Sequence, residues 1–311
     1  MIVGERLIGA MQGKQFLNAE ALIDATAKSK ERMADGQWVG SKLLIGYAAA
    51  LKNSGRWDEQ LALIQLWREG EPESGAAALI EATYWTEYAW SARGGEFAAN
   101  VPKEAFKIAD ERMAKARAAL EQSKAYAAQN PAWYTLMFHV ALYQGWSRAE
   151  LLALFNEAVK VEPLYDATYL NMAVGLTPRW GGSLDDYHRF VRGAVEKTKS
   201  SVGNTMYARL YWVLINTESE QEPFTALGIP WDRMKSGFDD LMARYPDSQW
   251  NLQHYAYFAC RADDGKTFKE LLPKLAVKLP YTMPAPWRGA YTRDYCVTRL
   301  GGPKAAGTKP G

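Results

Sequence analysis

Apolar positions recur at steps of three and four along most of the chain. Phe106, Ala109, Met113, Ala116 and Leu120 form one such stripe, and Leu184, Tyr187, Val191 and Ala194 form another. Met234, Phe238, Leu241 and Tyr245 repeat the spacing. So do Phe268, Leu271, Leu275 and Leu279, with Pro273 placed to kink or shorten that helix. Residues three and four apart share one face of an α-helix, so each stripe predicts an amphipathic helix with one buried side. Sustained alternation of β-branched residues is missing, so no sheet is predicted.

Breaks fall at intervals between the stripes: Ser54-Gly55, Gly94-Gly95, Asn130-Pro131, Gly145, Gly181-Gly182, Gly203 and Gly265 among them. Glycine accepts positive φ at a helix end, and proline opens the next helix where its missing N–H costs nothing. Ser183, three residues before Asp186, predicts an N-cap with an acid in the first turn. The segments pair into about seven hairpins at a spacing of roughly 34–50 residues, the range of helical repeats. The clearest pair is 130–144 with 147–161. The expected fold is all-α, a right-handed α-solenoid. Its N-terminal hairpins, over 1–73, run continuously into a repeat region over 74–300. The Gly-, Pro- and Lys-rich end, 301–311, is expected to be a flexible tail.

Residues 130–163, NPAWYTLMFHVALYQGWSRAELLALFNEAVKVEP, resemble a tetratricopeptide unit. Trp133 and Leu136 stand where that family places Trp and Leu, Ala149 at its small packing position, Phe155 and Ala158 near its later Phe and Ala, and Pro163 at its close. Met137 replaces the usual Gly, and the second half is shifted by about two residues from the family pattern. The resemblance implies that Met137, Ala141, Ala149, Phe155 and Ala158 pack inside one hairpin, so that a tryptophan at Ala149 overpacks it. Three longer phrases, YWTEYAWSARGGEFAANVP, LTPRWGGSLDDYHRF and YAYFACRADDGKTF, resemble a bacterial family related to tetratricopeptide proteins that has no assigned activity. That likeness begins near Glu71 and implies fold, not function.

Composition narrows the function classes. Lys plus Arg total 37 against 35 Asp plus Glu, a net charge of +2, so no bulk field draws in nucleic acid, and no nucleic-acid partner is expected. No apolar run reaches the ~20 residues of a membrane span. Residues 1–7 do not read as a signal peptide, so the cytoplasm is the default, with periplasm or secretion open if a leader was removed. Cys260 and Cys296 either pair in an oxidising compartment or stand as two small buried residues. His139, His188 and His254 are far apart and fit no metal-ligand spacing, and no Gly-rich phosphate loop or nucleophile elbow is present. No metal, no cofactor and no catalytic role are therefore expected.

The aromatic content, 12 Trp and 17 Tyr, is high and falls largely on the first helix of each expected hairpin. In a tetratricopeptide-like array those helices line the concave face. The leading expectation is a non-catalytic scaffold that holds a protein or peptide there. The candidate contacts are Trp85, Tyr88, Arg93, Trp133, Tyr134, His139, Trp180, Arg209, Tyr211 and Trp212. Adjacent aromatics such as Trp133-Tyr134 and Tyr211-Trp212 are about 100° apart on a helix, so at least one of each pair is expected to keep exposure. Two alternatives remain: a small-molecule pocket, catalytic or not, under the loops 94–101 and 177–183, and a self-assembling structural subunit. Oligomeric state is not legible in the sequence.

Overall fold

A computed structural model describes residues 3–95, 100–218, 221–276, 286–287 and 289–300. Among them are fifteen α-helices and no strand. An isolated bridge joins Arg32 to Trp38. The all-α expectation holds. The expected tail, 301–311, lies outside the described residues, as does Leu279.

The chain divides into two units. Unit 1 comprises Met1–Met33 and Gln37–Leu176, and unit 2 comprises Ala34–Gly36 and Thr177–Gly311. Unit 1 holds α1 (Val3–Gln12), α2 (Phe16–Lys28), α3 (Val39–Ser54), α4 (Trp57–Gly70), α5 (Gly75–Arg93), α6 (Lys103–Ala127), α7 (Pro131–Tyr143), α8 (Arg148–Val161) and α9 (Asp166–Gly175). Unit 2 holds α10 (Leu184–Val202), α11 (Thr205–Thr217), α12 (Trp231–Arg244), α13 (Gln249–Arg261), α14 (Gly265–Leu271) and α15 (Arg293–Leu300).

Local chemistry sets the helix ends. Asn130 accepts the Ala132 N–H at 3.0 Å with Pro131 in the first turn of α7. Ser183 accepts the Asp186 N–H, as the sequence predicts. Ser147 and Glu150 form a reciprocal capping box at the start of α8. Pro273 ends α14 and sits in a 3-10 turn, Leu272–Lys274. Each such cap satisfies a backbone donor that the helix itself leaves unpaired.

Within unit 1, α7 touches α5, α6, α8 and α9, and α5 touches α2, α3, α4, α6 and α7. The helices α3, α5, α7 and α9 thus follow one another as packing neighbours. This crowding corrects two expectations. Trp133 and Tyr134 are both buried, because α7 packs against α5, α6, α8 and α9 and leaves neither ring a free face. Ala149 is exposed: it lies in the first turn of α8, while Leu151, Leu154, Phe155 and Ala158 form the buried stripe. Met137 and Ala141 are buried as expected, but a tryptophan at Ala149 would meet solvent.

In unit 2, α10 packs on α11, α11 on α12, α12 on α13, and both α14 and α15 on α13. Cys260 of α13 and Cys296 of α15 are joined by a disulfide, Cα–Cα 5.8 Å, and both are fully buried. The bridge closes a loop with a sequence separation of 36. Restricting the unfolded chain over such a loop is worth about 2–4 kcal/mol. Cys296→Ala is therefore expected to lower the denaturation midpoint of unit 2, and wild type in reductant should follow it. Equal midpoints with and without the bridge would show that it adds nothing to stability.

Candidate functional site

Four helices of unit 1 turn short stripes toward one cavity of about 210 Å³. Helix α3 contributes Ser41, Leu44, Ile45 and Ala48, at steps of three, four and seven. Helix α5 contributes Thr83, Thr86 and Glu87. Helix α7 contributes Ala132, Thr135, Leu136 and His139, and helix α9 contributes Ala167, Leu170 and Asn171. Each set spans one helical face, so the spacing that builds the core also builds this wall. The volume equals about seven waters at ~30 Å³ each, enough for a side chain or a small ligand. Ile45, on the wall, is 56% exposed, which leaves apolar surface beside the cavity in contact with solvent.

The polar groups in this mostly apolar wall include two carboxylates, several hydroxyls and an imidazole. Glu87 has no hydrogen-bond or ion-pair partner among the described residues. Burial raises its pKa above the ordinary 4.5, and Lys52 offsets this only in part. Burial lowers the pKa of His139, against a hydrogen bond to the Asn171 side chain that favours its protonated form. Because that bond favours the protonated ring, the Asn171 oxygen is the atom that accepts from His139, while its amide gives one N–H to the Ala167 carbonyl at 2.8 Å. The second imidazole nitrogen of the neutral ring is then an acceptor. Thr83 is satisfied by the Leu79 carbonyl at 2.7 Å, whereas the buried Thr86 hydroxyl has no partner. Asp166 also lines the cavity, but its carboxylate accepts the Ala167 N–H at 3.1 Å and has Arg32 at 4.0 Å.

Glu87 carries a testable pH signature. Below its unfolded value of 4.5 the carboxyl is neutral in both states and costs nothing. As pH rises through the higher folded value, ionisation against burial removes stability. Glu87→Gln is therefore expected to raise the melting temperature at neutral pH, with the gain vanishing near pH 4. A gain that persisted at pH 4 would mean that the buried charge is not its cause.

The sequence-predicted residues scatter. Among them only His139 lines the cavity. Trp85 and Tyr88 lie on α5 beneath cations of α6: Lys115 stands 4.3 Å from the Trp85 ring centre, and Arg112 3.2 Å from that of Tyr88. Tyr88 also stacks on Trp57 at 4.5 Å. Arg93 ends α5, bonded to the Gly94 carbonyl and set against Trp90 and Phe106. Trp133 donates its indole N–H to the Leu120 carbonyl at 2.9 Å, an interior role.

In unit 2, Trp180 closes a 3-10 turn before Gly181 and is 39% exposed. Arg209 donates to the Asp35 carbonyl at 2.7 Å. Tyr211 is buried with its hydroxyl 2.7 Å from His188 Nδ1. Trp212 keeps partial exposure and stacks on Trp250 at 5.8 Å. Tyr134 and Tyr211, like Trp133, are thus too deeply buried to meet a partner in this conformation.

Glu87, Thr86, Ile45 and Asn171 went unnoticed in the sequence. A signal existed in α5: Thr83, Thr86 and Glu87 are polar at steps of three and four in the middle of a helix rich in Ala and aromatic residues. Among the described residues of 94–101 and 177–183, where the alternative reading set a small-molecule pocket, none lines this cavity. Among the described residues no group of three or more His, Cys, Asp and Glu is placed to hold a metal ion. Among them, too, no helix is long and apolar enough to cross a membrane. No protein-family model, curated protein or solved structure matches the chain.

Proposed function

We propose that the chain is a non-catalytic scaffold of the tetratricopeptide-like type, its hairpins continuing a right-handed α-solenoid, that binds a peptide segment of a protein partner in the groove of α3, α5, α7 and α9. The observation that carries this reading is the cavity itself. Its walls are α3, α5, α7 and α9, which the sequence pattern makes the first helices of their hairpins, and first helices are the surface such repeats offer to partners. The exposed Ile45 beside it supports the same use, because apolar side chains at a groove contribute binding energy when a partner excludes water. Of the aromatic lining anticipated for the groove only Tyr165 stands at the cavity, among Leu, Ala, Thr and Ile, and the partner contacts move to Ile45, Ala48, Thr86, Glu87, Leu136 and Leu170.

Peptide display on the full chain tests this. Ala48→Trp places a large ring in the cavity from the half-buried wall of α3 without changing charge. Selected peptides are expected to lose tenfold or more in affinity for this variant while its melting temperature stays close to wild type. Peptides that bind both proteins equally, or a selection that yields no binder, would overturn the assignment.

A further inference from the structure

The cavity wall includes no lysine and no arginine, yet it includes two carboxylates. Asp166 is engaged by the Ala167 N–H and faces Arg32. Glu87 is the one without a hydrogen-bond or ion-pair partner among the described residues. Next to it in sequence, Thr86 is 2% exposed and its hydroxyl is unpartnered. A hydroxyl buried without a partner is costly, and a half-buried carboxylate is disfavoured as well, unless a ligand supplies the partner. The neutral His139 ring adds a further acceptor and no positive charge to repel a cation. Leu44, Ile45, Leu136 and Leu170 give the wall its aliphatic part, beside Ser, Thr, Gln, Asn and Tyr side chains. An apolar stem ending in a donor-rich cation would complement this wall.

We propose that the cavity receives a lysine side chain of the bound peptide, its methylenes along the leucines and its ammonium at Glu87 and Thr86. Lysine is the residue with this division, an aliphatic stem of four carbons and a compact head with three donors. Those donors match separate acceptors on two helices, the Glu87 carboxylate and Thr86 hydroxyl of α5 and the imidazole of α7. The planar fork of arginine instead suits a single carboxylate gripped in its own plane. The assignment rests on the peptide-groove reading above and names the residue that the groove selects.

The test uses the full chain and four probes: the N-acetyl, N′-methylamide derivatives of lysine, norleucine and arginine, and n-butylammonium. Binding is read from the methyl signals of Ile45, Leu136 and Leu170 on titration. The lysine derivative is expected to bind at least tenfold more tightly than the norleucine one, and Glu87→Gln to abolish that factor while keeping the melting temperature at or above wild type. Norleucine matching lysine, or arginine exceeding it, would overturn the lysine assignment. Butylammonium matching the lysine derivative would do so too, because the site would then serve a free amine. The two readings fail separately. If these probes show no lysine preference while displayed peptides still need an open Ala48, only the lysine assignment falls. If displayed peptides ignore Ala48→Trp, the groove reading falls first.

Discussion

Trp133→Ala is expected to destabilise unit 1 by about 3–5 kcal/mol, the range for removing a buried large aromatic. The ring is 2% exposed, meets Tyr134 edge to face at 4.9 Å and bonds the Leu120 carbonyl on α6. That carbonyl also accepts from Ser123 at 3.1 Å, so the loss comes mainly from the cavity and not from a stranded acceptor. Domains of this kind are held by only about 5–15 kcal/mol in total, so the variant should unfold at much lower denaturant. Urea titration followed by helical circular dichroism measures it. A variant of wild-type stability that had lost only partner binding would return Trp133 to the surface role its sequence context suggested.

The second large effect is at Gly237, where α12 crosses α11. A Cβ there would lie 2.7 Å from the Asn204 carbonyl oxygen, and 2.9 Å from both the Cβ and the amide nitrogen of Ala208. Backbone atoms cannot rotate aside, so the helices must separate and loosen their neighbours. The same junction carries the Asp240 carboxylate, which accepts the Asn204 backbone N–H at 2.6 Å, and Asn204 also bonds Ser236 at 3.2 Å. In an exposed helix interior glycine to alanine gains about 1 kcal/mol of propensity. At Gly237 overpacking of about 1–3 kcal/mol opposes that gain, and Gly237→Val, with two further carbons and a stiff χ1, should lose more. Gly193 of α10, exposed with nothing within 4 Å of an added Cβ, is the control. Gly193→Ala should raise the melting temperature and Gly237→Val should lower it sharply. Two shifts of the same sign would mean that the α11–α12 crossing is not close.

What the sequence determined by itself was local. The stripe from Ala109 to Leu120, the Ser183 cap and the Asn130-Pro131 start depend on residues within a turn or two of each other, and all stand in the structure as the pattern implies. Helical periodicity and capping are nearest-neighbour physics, so they are legible without knowing what the helix touches. Which side of each helix meets which partner is not. Trp133 and Tyr134 lie on different faces of α7, and both are buried because α5, α6, α8 and α9 pack around that helix. Ala149 matches a family position in sequence, yet the α8 cap at Ser147 sets a register that turns it to water. The sequence left open whether Cys260 and Cys296 pair, and the packing of α15 on α13 joins them. Likewise Thr86, Glu87, His139 and Asn171 converge only once α5, α7 and α9 are packed. A site assembled from short stripes on separate helices has no contiguous motif, because its spacing is set by the distance between helix axes and not by the number of residues along the chain.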